Sequence, residues 1–252
     1  MKRIAFVSPL GGVGRTTLAA HVATLLARPG RPVVAIDLSP QNALGLHLGL
    51  HEPPADGWHA AAAHGGWWGD HALENSAGVR LLPHGARQRG EAAGSQPGWL
   101  QAQLASLDLP AGSVLVLDTP PLPAPLAQQA AQAADLVVLV LDASVRSLRL
   151  QPVLDDFIAT LPAGTRWAVA ATGVDPRSLS RRNALQALRQ RWQDRLIAYP
   201  LHTDEHLQQA LARAVCVHQH APAAQAAHDL QGLAEWIAQA CDLAAVAQEG
   251  TP

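Results

Sequence analysis

Two hydrophobic patterns alternate along the chain. Short, uninterrupted aliphatic runs, such as Leu115-Val116-Leu117 and Val137-Val138-Leu139-Val140, are separated by longer stretches with apolar residues at helical spacing. A continuous apolar run reads as a strand covered on both faces, and strands alternating with helices read as crossover connections. The pattern therefore predicts an α/β fold, a doubly wound, mostly parallel sheet flanked by helices. Strands are expected at Ile4–Val7, Pro32–Asp37, Val79–Pro83, Val114–Asp118, Leu136–Leu141 and Trp167–Thr172. Each is closed by turn residues or by the start of a helix. Helices are expected at Thr16–Ala27, Trp99–Leu107, Pro125–Ala133, Leu148–Leu161, Leu179–Gln193, Glu205–Ala214 and Ala223–Leu243. The stretch Gly57–Gly78 reads as irregular, and Gly85–Gly98, rich in Gly, Ala and Gln, as a mobile loop. With no internal repeat and no break in composition, residues 1–245 are expected to form one domain, followed by a short tail at 246–252.

Composition changes this picture only by exclusion. A hydrophobic share of 48% against 15% charged residues is ample for a packed core, which excludes global disorder. The formal net charge of −2 supplies no bulk attraction for a polyanion. The longest strongly apolar run, Leu136 to Leu141, is far short of a membrane span, and the first apolar run stops at Ser8-Pro9, too early for a signal peptide. Cys216 and Cys241 lack metal-ligand spacing and read as reduced thiols. The twelve histidines are scattered, His218 and His220 have no third ligand at metal spacing, and all are expected at the surface. These readings together predict a cytoplasmic protein.

Chemistry enters with Pro9-Leu10-Gly11-Gly12-Val13-Gly14-Arg15-Thr16-Thr17, placed between the first strand and the first helix. Gly11, Gly12 and Gly14 let backbone N–H groups turn inward, and the following helix N-terminus favours negative charge. Thr16 stands where such a loop presents a hydroxyl to Mg²⁺, with Thr17 next to it. Asp37 ends the second strand and Asp118 ends another. Carboxylates at the carboxyl ends of buried parallel strands lie beside such a loop and can hold Mg²⁺ or its waters. The alternative for either aspartate alone is a strand-end cap.

These segments resemble the deviant Walker P-loop NTPases of the MinD/ParA family: Gly11-Gly12-Val13-Gly14-Arg15-Thr16-Thr17, Asp37-Leu38-Ser39-Pro40-Gln41-Asn42, and Asp118-Thr119-Pro120-Pro121. Val174-Asp175-Pro176-Arg177-Ser178 is similar to that family's base-side loop. Within the family, three segments are similar to its cellulose-biosynthesis branch: Gly57-Trp58 through Trp68, Leu81-Leu82-Pro83-His84-Gly85, and His202-Thr203-Asp204-Glu205. The resemblance implies ATP and Mg²⁺ as cofactors, bound by Gly11, Gly12, Val13, Gly14, Arg15, Thr16 and Thr17. Thr16, Asp37 and Asp118 are implied as the metal set, and Thr172 with Pro200 to Asp204, His202 among them, as lining the base. It further implies an ATP-bridged homodimer supporting cellulose-synthase regulatory or secretion subunits, recruited to the inner membrane through partners.

Four positions depart from the family pattern. Leu10 stands where the family has its signature lysine, which reaches the partner subunit's phosphates; leucine carries no charge. Arg15 replaces the Walker lysine, keeping the charge in a different donor geometry. Ser39 replaces the second aspartate of the switch I segment that positions water, and a serine takes no proton at neutral pH. Thr172 replaces the base-side asparagine. No catalytic residue is therefore assigned beyond Asp37 and Ser39 as that segment, and the expected behaviour is tight ATP binding with slow or absent hydrolysis.

Other features keep two readings each. Arg177, Arg181, Arg182, Arg189, Arg191 and Arg195 form either a solvated helix face or a surface for an acidic partner or DNA. Trp58, Trp67 and Trp68 either seal a small satellite core or form a partner surface. The last helix, around Trp236 and Ile237, lacks Lys and Arg and is expected to pack on the body rather than anchor to a membrane. Two other functions stay open: a ParA-type partitioning or positioning ATPase acting on DNA, and a MinD-like flagellar or septum placement factor.

Overall fold

The structure, a computed structural model, describes residues 1–86 and 94–243. The central part of the expected mobile loop Gly85–Gly98, and the whole of the expected tail 246–252, lie outside the described residues.

The strands are β1 (Lys2–Val7), β2 (Val33–Asp37), β3 (Leu73–Glu74), β4 (Val79–Leu82), β5 (Val114–Asp118), β6 (Leu136–Asp142) and β7 (Arg166–Thr172). The helices are α1 (Arg15–Leu26), α2 (Trp58–Ala63), α3 (Trp99–Ala105), α4 (Pro125–Ala133), α5 (Val145–Arg149), α6 (Gln151–Ala159), α7 (Leu179–Trp192), α8 (Glu205–Ala212), α9 (Val217–His220) and α10 (Gln225–Ala240). The strands form one seven-stranded sheet in the order β3-β4-β2-β5-β1-β6-β7. Every pairing is parallel except that of the edge strand β3 with β4.

The continuous apolar runs are explained by two cores. Along β1, Ile4 and Phe6 feed one core, which α1, α9 and α10 cover through Leu18, Val22, Val217, Leu230 and Ile237. Ala5 and Val7 feed the other, covered by α3, α4, α6 and α7 through Leu100, Ala130, Leu154 and Leu188. Successive strand residues point to opposite faces, so both parities must be apolar when both faces are roofed. The last helix, α10, packs on α1 as expected.

The remaining differences have local causes. The expected helix Leu148–Leu161 is two, α5 and α6, because Pro152 at the second position of α6 has no N–H for the carbonyl four residues back. The stretch Gly57–Gly78 is structured: it contains α2, a 3₁₀ turn at Trp68–His71 and the strand β3. Trp58 and Trp68 are fully buried beside Trp99, whereas Trp67 is half exposed; the first two are part of the main core on the α3–α4 side of the sheet, not of a separate satellite core. The surface reading of the histidines is corrected at four positions: His21, His47, His59 and His84 are buried. His21 is buried because two backbone partners meet it: Nδ1 donates to the Thr17 carbonyl (2.7 Å) and Nε2 accepts from the Val217 N–H (2.8 Å).

On the arginine-rich helix α7, Arg182, Arg189, Arg191 and the flanking Arg177 and Arg195 are exposed. Arg181 turns inward and donates to the Gly173 carbonyl. Among the described residues, no helix is long and apolar enough to cross a membrane.

Candidate functional site

The strand order places β1 between β5 and β6, so the loop after Val7 opens at the middle of the sheet's carboxyl edge. Gly12 (φ 72°) and Gly14 (φ 87°) are left-handed, a conformation that glycine adopts without a side-chain penalty. Gly14 caps α1, and the helix's first turn has neither a side-chain cap nor an acidic residue. Its opening N–H groups are therefore available to an anion. The loop is fastened at two points. The Ser8 hydroxyl accepts from the Leu10 N–H (3.1 Å), and the Thr172 hydroxyl donates to the Val13 carbonyl (2.7 Å) from the end of β7. Leu10 lies against the core beneath the loop.

Beside the loop, β2 and β5 bring Asp37 and Asp118 into register as neighbours. Both are buried. Asp118 accepts from the Thr16 hydroxyl at Oδ2 (2.7 Å), and its Oδ1 lies 3.4 Å from Arg15 Nε, an ion pair in which both side chains are buried. Asp37 spends both oxygens on backbone: Oδ1 accepts from the Ser39 N–H (3.0 Å) and Oδ2 from the Leu44 N–H (2.9 Å). Its carbonyl accepts from Trp58 Nε1 (2.7 Å), which ties α2 to the strand end. Ser39 is itself buried and accepts from the Gln41 N–H (3.4 Å).

Electrostatically the pair is costly as it stands. Burial pushes the Asp37 carboxyl well above the usual carboxylate range, and neighbouring Asp118 pushes it further. Burial likewise raises Asp118, against which Arg15 and Thr16 act. Three atoms test whether a phosphate with a divalent cation fits. Arg15 Nε, Arg15 Nη1 and Asp118 Oδ1 are buried without a hydrogen-bond partner. A guanidinium with unmet donors, a carboxylate oxygen with an unmet lone pair and a hydroxyl at 2.7 Å match phosphate oxygens plus a hard, oxygen-seeking cation. The residues fit the group: Arg15 and the loop N–H groups would hold phosphate, and Thr16 with Asp118 would hold Mg²⁺.

A pocket of about 340 Å³ continues from the loop, lined by Gly12, Val13, Gly14, Thr17, Thr172 and His202, among others. Pro200 stands outside that lining, while Leu201, Thr203 and Asp204 form part of it. His47 and Arg181 also line it, and sequence reasoning missed both. His47 ends the 3₁₀ turn Leu44–His47, and neither motif nor periodicity marks it as facing a pocket.

The chain matches the family described as "Cellulose biosynthesis protein BcsQ" over residues 1–238. It is 28% identical to the chromosome-partitioning ATPase Soj of Thermus thermophilus, covering 94% of this chain and 95% of that protein. It is 29% identical to the cellulose biosynthesis protein BcsQ of Salmonella typhimurium, covering 90% of each. Among solved structures, the septum site-determining protein MinD of Pyrococcus horikoshii complexed with Mg-ADP superposes with a TM-score of 0.77 at 21% identity, covering 94% of this chain and 95% of that one. The chain belongs to the BcsQ family of cellulose biosynthesis proteins, on the MinD/ParA-type P-loop NTPase fold.

Proposed function

We propose that this protein binds ATP with Mg²⁺ and keeps it between two copies of itself as an ATP-bridged homodimer. The observation that carries the reading is the set of buried groups at the loop that make no hydrogen bond among the described residues, Arg15 Nη1 and the Asp118 Oδ1 that faces Arg15 Nε at 3.4 Å, beside the Thr16 hydroxyl. Membership of the BcsQ family supports a role in assembling or localising a cellulose-synthase secretion complex, through docking on its regulatory or secretion subunits. The protein would work in the cytoplasm and reach the inner membrane through those partners.

Hydrolysis is slow or absent in this reading. Leu10 brings no charge to a partner subunit's phosphates. Ser39 is buried, already bonded to Gln41, and unable to accept a proton at neutral pH. The dimer acts as a clamp whose closed state lasts.

Titration calorimetry with ATP·Mg²⁺, a phosphate-release assay and gel filtration test this together. The expected result is ATP binding, elution as a dimer only with ATP·Mg²⁺, and turnover far below the roughly 1–10³ s⁻¹ of ordinary enzymes. Absence of ATP binding would sink the whole reading; rapid turnover would sink the clamp and leave the binding.

A second reading rests on the full-length similarity to Soj and on the exposed arginines of α7: a ParA-type ATPase acting on DNA. On α7 and its flanks four of the exposed arginines are occupied: Arg191 on Asp155 and over the Trp192 ring, Arg195 over the Trp167 ring, Arg177 on Asp175, and Arg182 on the Pro176 carbonyl, which favours a structural use. DNA binding that collapses as salt rises from 50 to 200 mM would favour this reading instead.

A further inference from the structure

We propose that His202, oriented by Asp229, reads the 6-position of the purine and makes the site select a 6-amino over a 6-oxo base; this rests on the nucleotide reading above. The residue at the expected base-side position, Thr172, lines the pocket but has no free proton to offer a base. Thr172 gives its hydroxyl proton to the Val13 carbonyl, so it secures the loop instead.

Most of the other polar side chains around the pocket are engaged; among the exceptions are Thr17 and His47, whose buried Nδ1 makes no hydrogen bond among the described residues. Asp142 accepts from the Ser144 and Ser147 hydroxyls, and Arg181 donates to the Gly173 carbonyl. Asp204 caps α8 and accepts from the Ala226 N–H. Thr203 donates its hydroxyl to the Val174 carbonyl. Gln208 is exposed, and its amide offers both a donor and an acceptor, so it does not discriminate.

His202 differs from these in that a carboxylate orients its ring. Asp229 Oδ2 accepts both its backbone N–H (2.9 Å) and its ring Nδ1 (2.8 Å). The other oxygen of Asp229 accepts from Gln225 (2.8 Å), so the carboxylate is held from two sides on α10. A carboxylate only accepts, so Nδ1 carries a proton, and in the singly protonated ring Nε2 is a lone-pair acceptor. Among the described residues no hydrogen bond is made by Nε2, and the ring forms a wall of the pocket that starts at the phosphate loop. An adenine 6-amino group donates to such an atom. A 6-oxo group meets it lone pair to lone pair and leaves both unmet. Asp229 is thus a positioning residue: it fixes the proton on the ring without reaching the pocket itself.

The test compares binding of ATP and ITP, which carry the 6-amino and the 6-oxo base on the same ribose and phosphates. The intact protein should favour ATP by about tenfold, the worth of one net hydrogen bond. His202→Leu should bring that ratio near one by weakening ATP while leaving ITP almost unchanged. Asp229→Ala should narrow the ratio too, and imidazole ¹⁵N shifts should show that His202 loses its fixed Nδ1–H form. Because Asp229 also supports backbone, the His202→Leu result stands if the Asp229 variant fails to fold. A wild-type ratio near one with both nucleotides bound overturns this inference and leaves the nucleotide reading intact, as does a tenfold ratio surviving in His202→Leu. Binding of neither nucleotide by the intact protein overturns both.

Discussion

Replacing His21 with Gln should change how stability depends on pH more than it changes stability at neutral pH. The ring is buried in α1, donates from Nδ1 to Thr17 and accepts at Nε2 from the Val217 N–H. A second proton would have to occupy Nε2, where an N–H already points. Burial lowers its pKa from 6.5 to about 3, with the neighbouring His47 ring adding to the effect. The folded state therefore refuses a proton that the unfolded chain takes below 6.5. That stability is fully present above 6.5 and is lost as pH falls toward 3. Each pH unit is worth about 1.4 kcal/mol, so the loss reaches about 2 kcal/mol by pH 5 and about 5 kcal/mol at the limit. Other groups titrate nearby. His47 is lowered to about 4 and His218 is lowered as well, while the raised Asp37 and Asp118 act in the opposite direction. The Cys216 thiol, raised to about 11, stays neutral throughout. The difference between wild type and variant removes most of these shared contributions. Glutamine keeps a donor and an acceptor but does not titrate. Urea unfolding at pH 7, 6 and 5 should show the wild-type advantage shrinking by about 2 kcal/mol across that range. A gap that stays constant from pH 7 to 5 would refute the account of His21 as a buried neutral ring.

Three further outcomes follow from the site and the tryptophan-bearing segment beside it. Thr16→Ala removes the hydroxyl that meets Asp118 at 2.7 Å and should weaken ATP binding at least tenfold in the presence of Mg²⁺, with a much smaller effect in EDTA, as read by titration calorimetry. Trp58→Phe removes the bond to the Asp37 carbonyl in a fully buried place and should cost about 1–3 kcal/mol by denaturant unfolding; an unchanged midpoint would show that the carbonyl is served by another donor. Gly57→Ala would set a Cβ 2.3 Å from the Gly85 nitrogen and 2.5 Å from the Pro83 oxygen, both backbone, and should lower stability by about 1–3 kcal/mol; an undisturbed thermal midpoint would mean that this seam can open without cost.

What could be read from the sequence divides along a physical line. The central strands were legible because both of their faces are covered, so Val114–Asp118 and Leu136–Asp142 carry apolar residues at nearly every position. The phosphate loop was legible because its chemistry is local: glycines at left-handed positions, then Arg15 and Thr16 at the start of a helix. The tryptophan-bearing segment was not, because α2 and β3 are too short to show a period and are held by distant partners. Trp58 is fixed by Asp37 and by the backbone of Pro83. Buried histidines escape pattern reading for the same reason. The partner of His21 is Val217, separated from it by 196 residues, and no feature of either neighbourhood announces the other. The Asp229 support of His202 joins a loop to a helix that only the fold brings together.

Asp37 holds three groups at once: the Ser39 and Leu44 N–H groups on its carboxylate and the Trp58 indole on its carbonyl. In a site closed to water, none of these bonds can be stretched gradually and replaced by solvent along the way. Releasing the segment after β2 would therefore require these partners to be exchanged outright, as a latch is, rather than bent aside as at a hinge. Such an exchange would be felt in the turn at Leu44 and in the tryptophan core at the same instant. The indole of Trp58 thereby sits where its own fluorescence would register the latch opening.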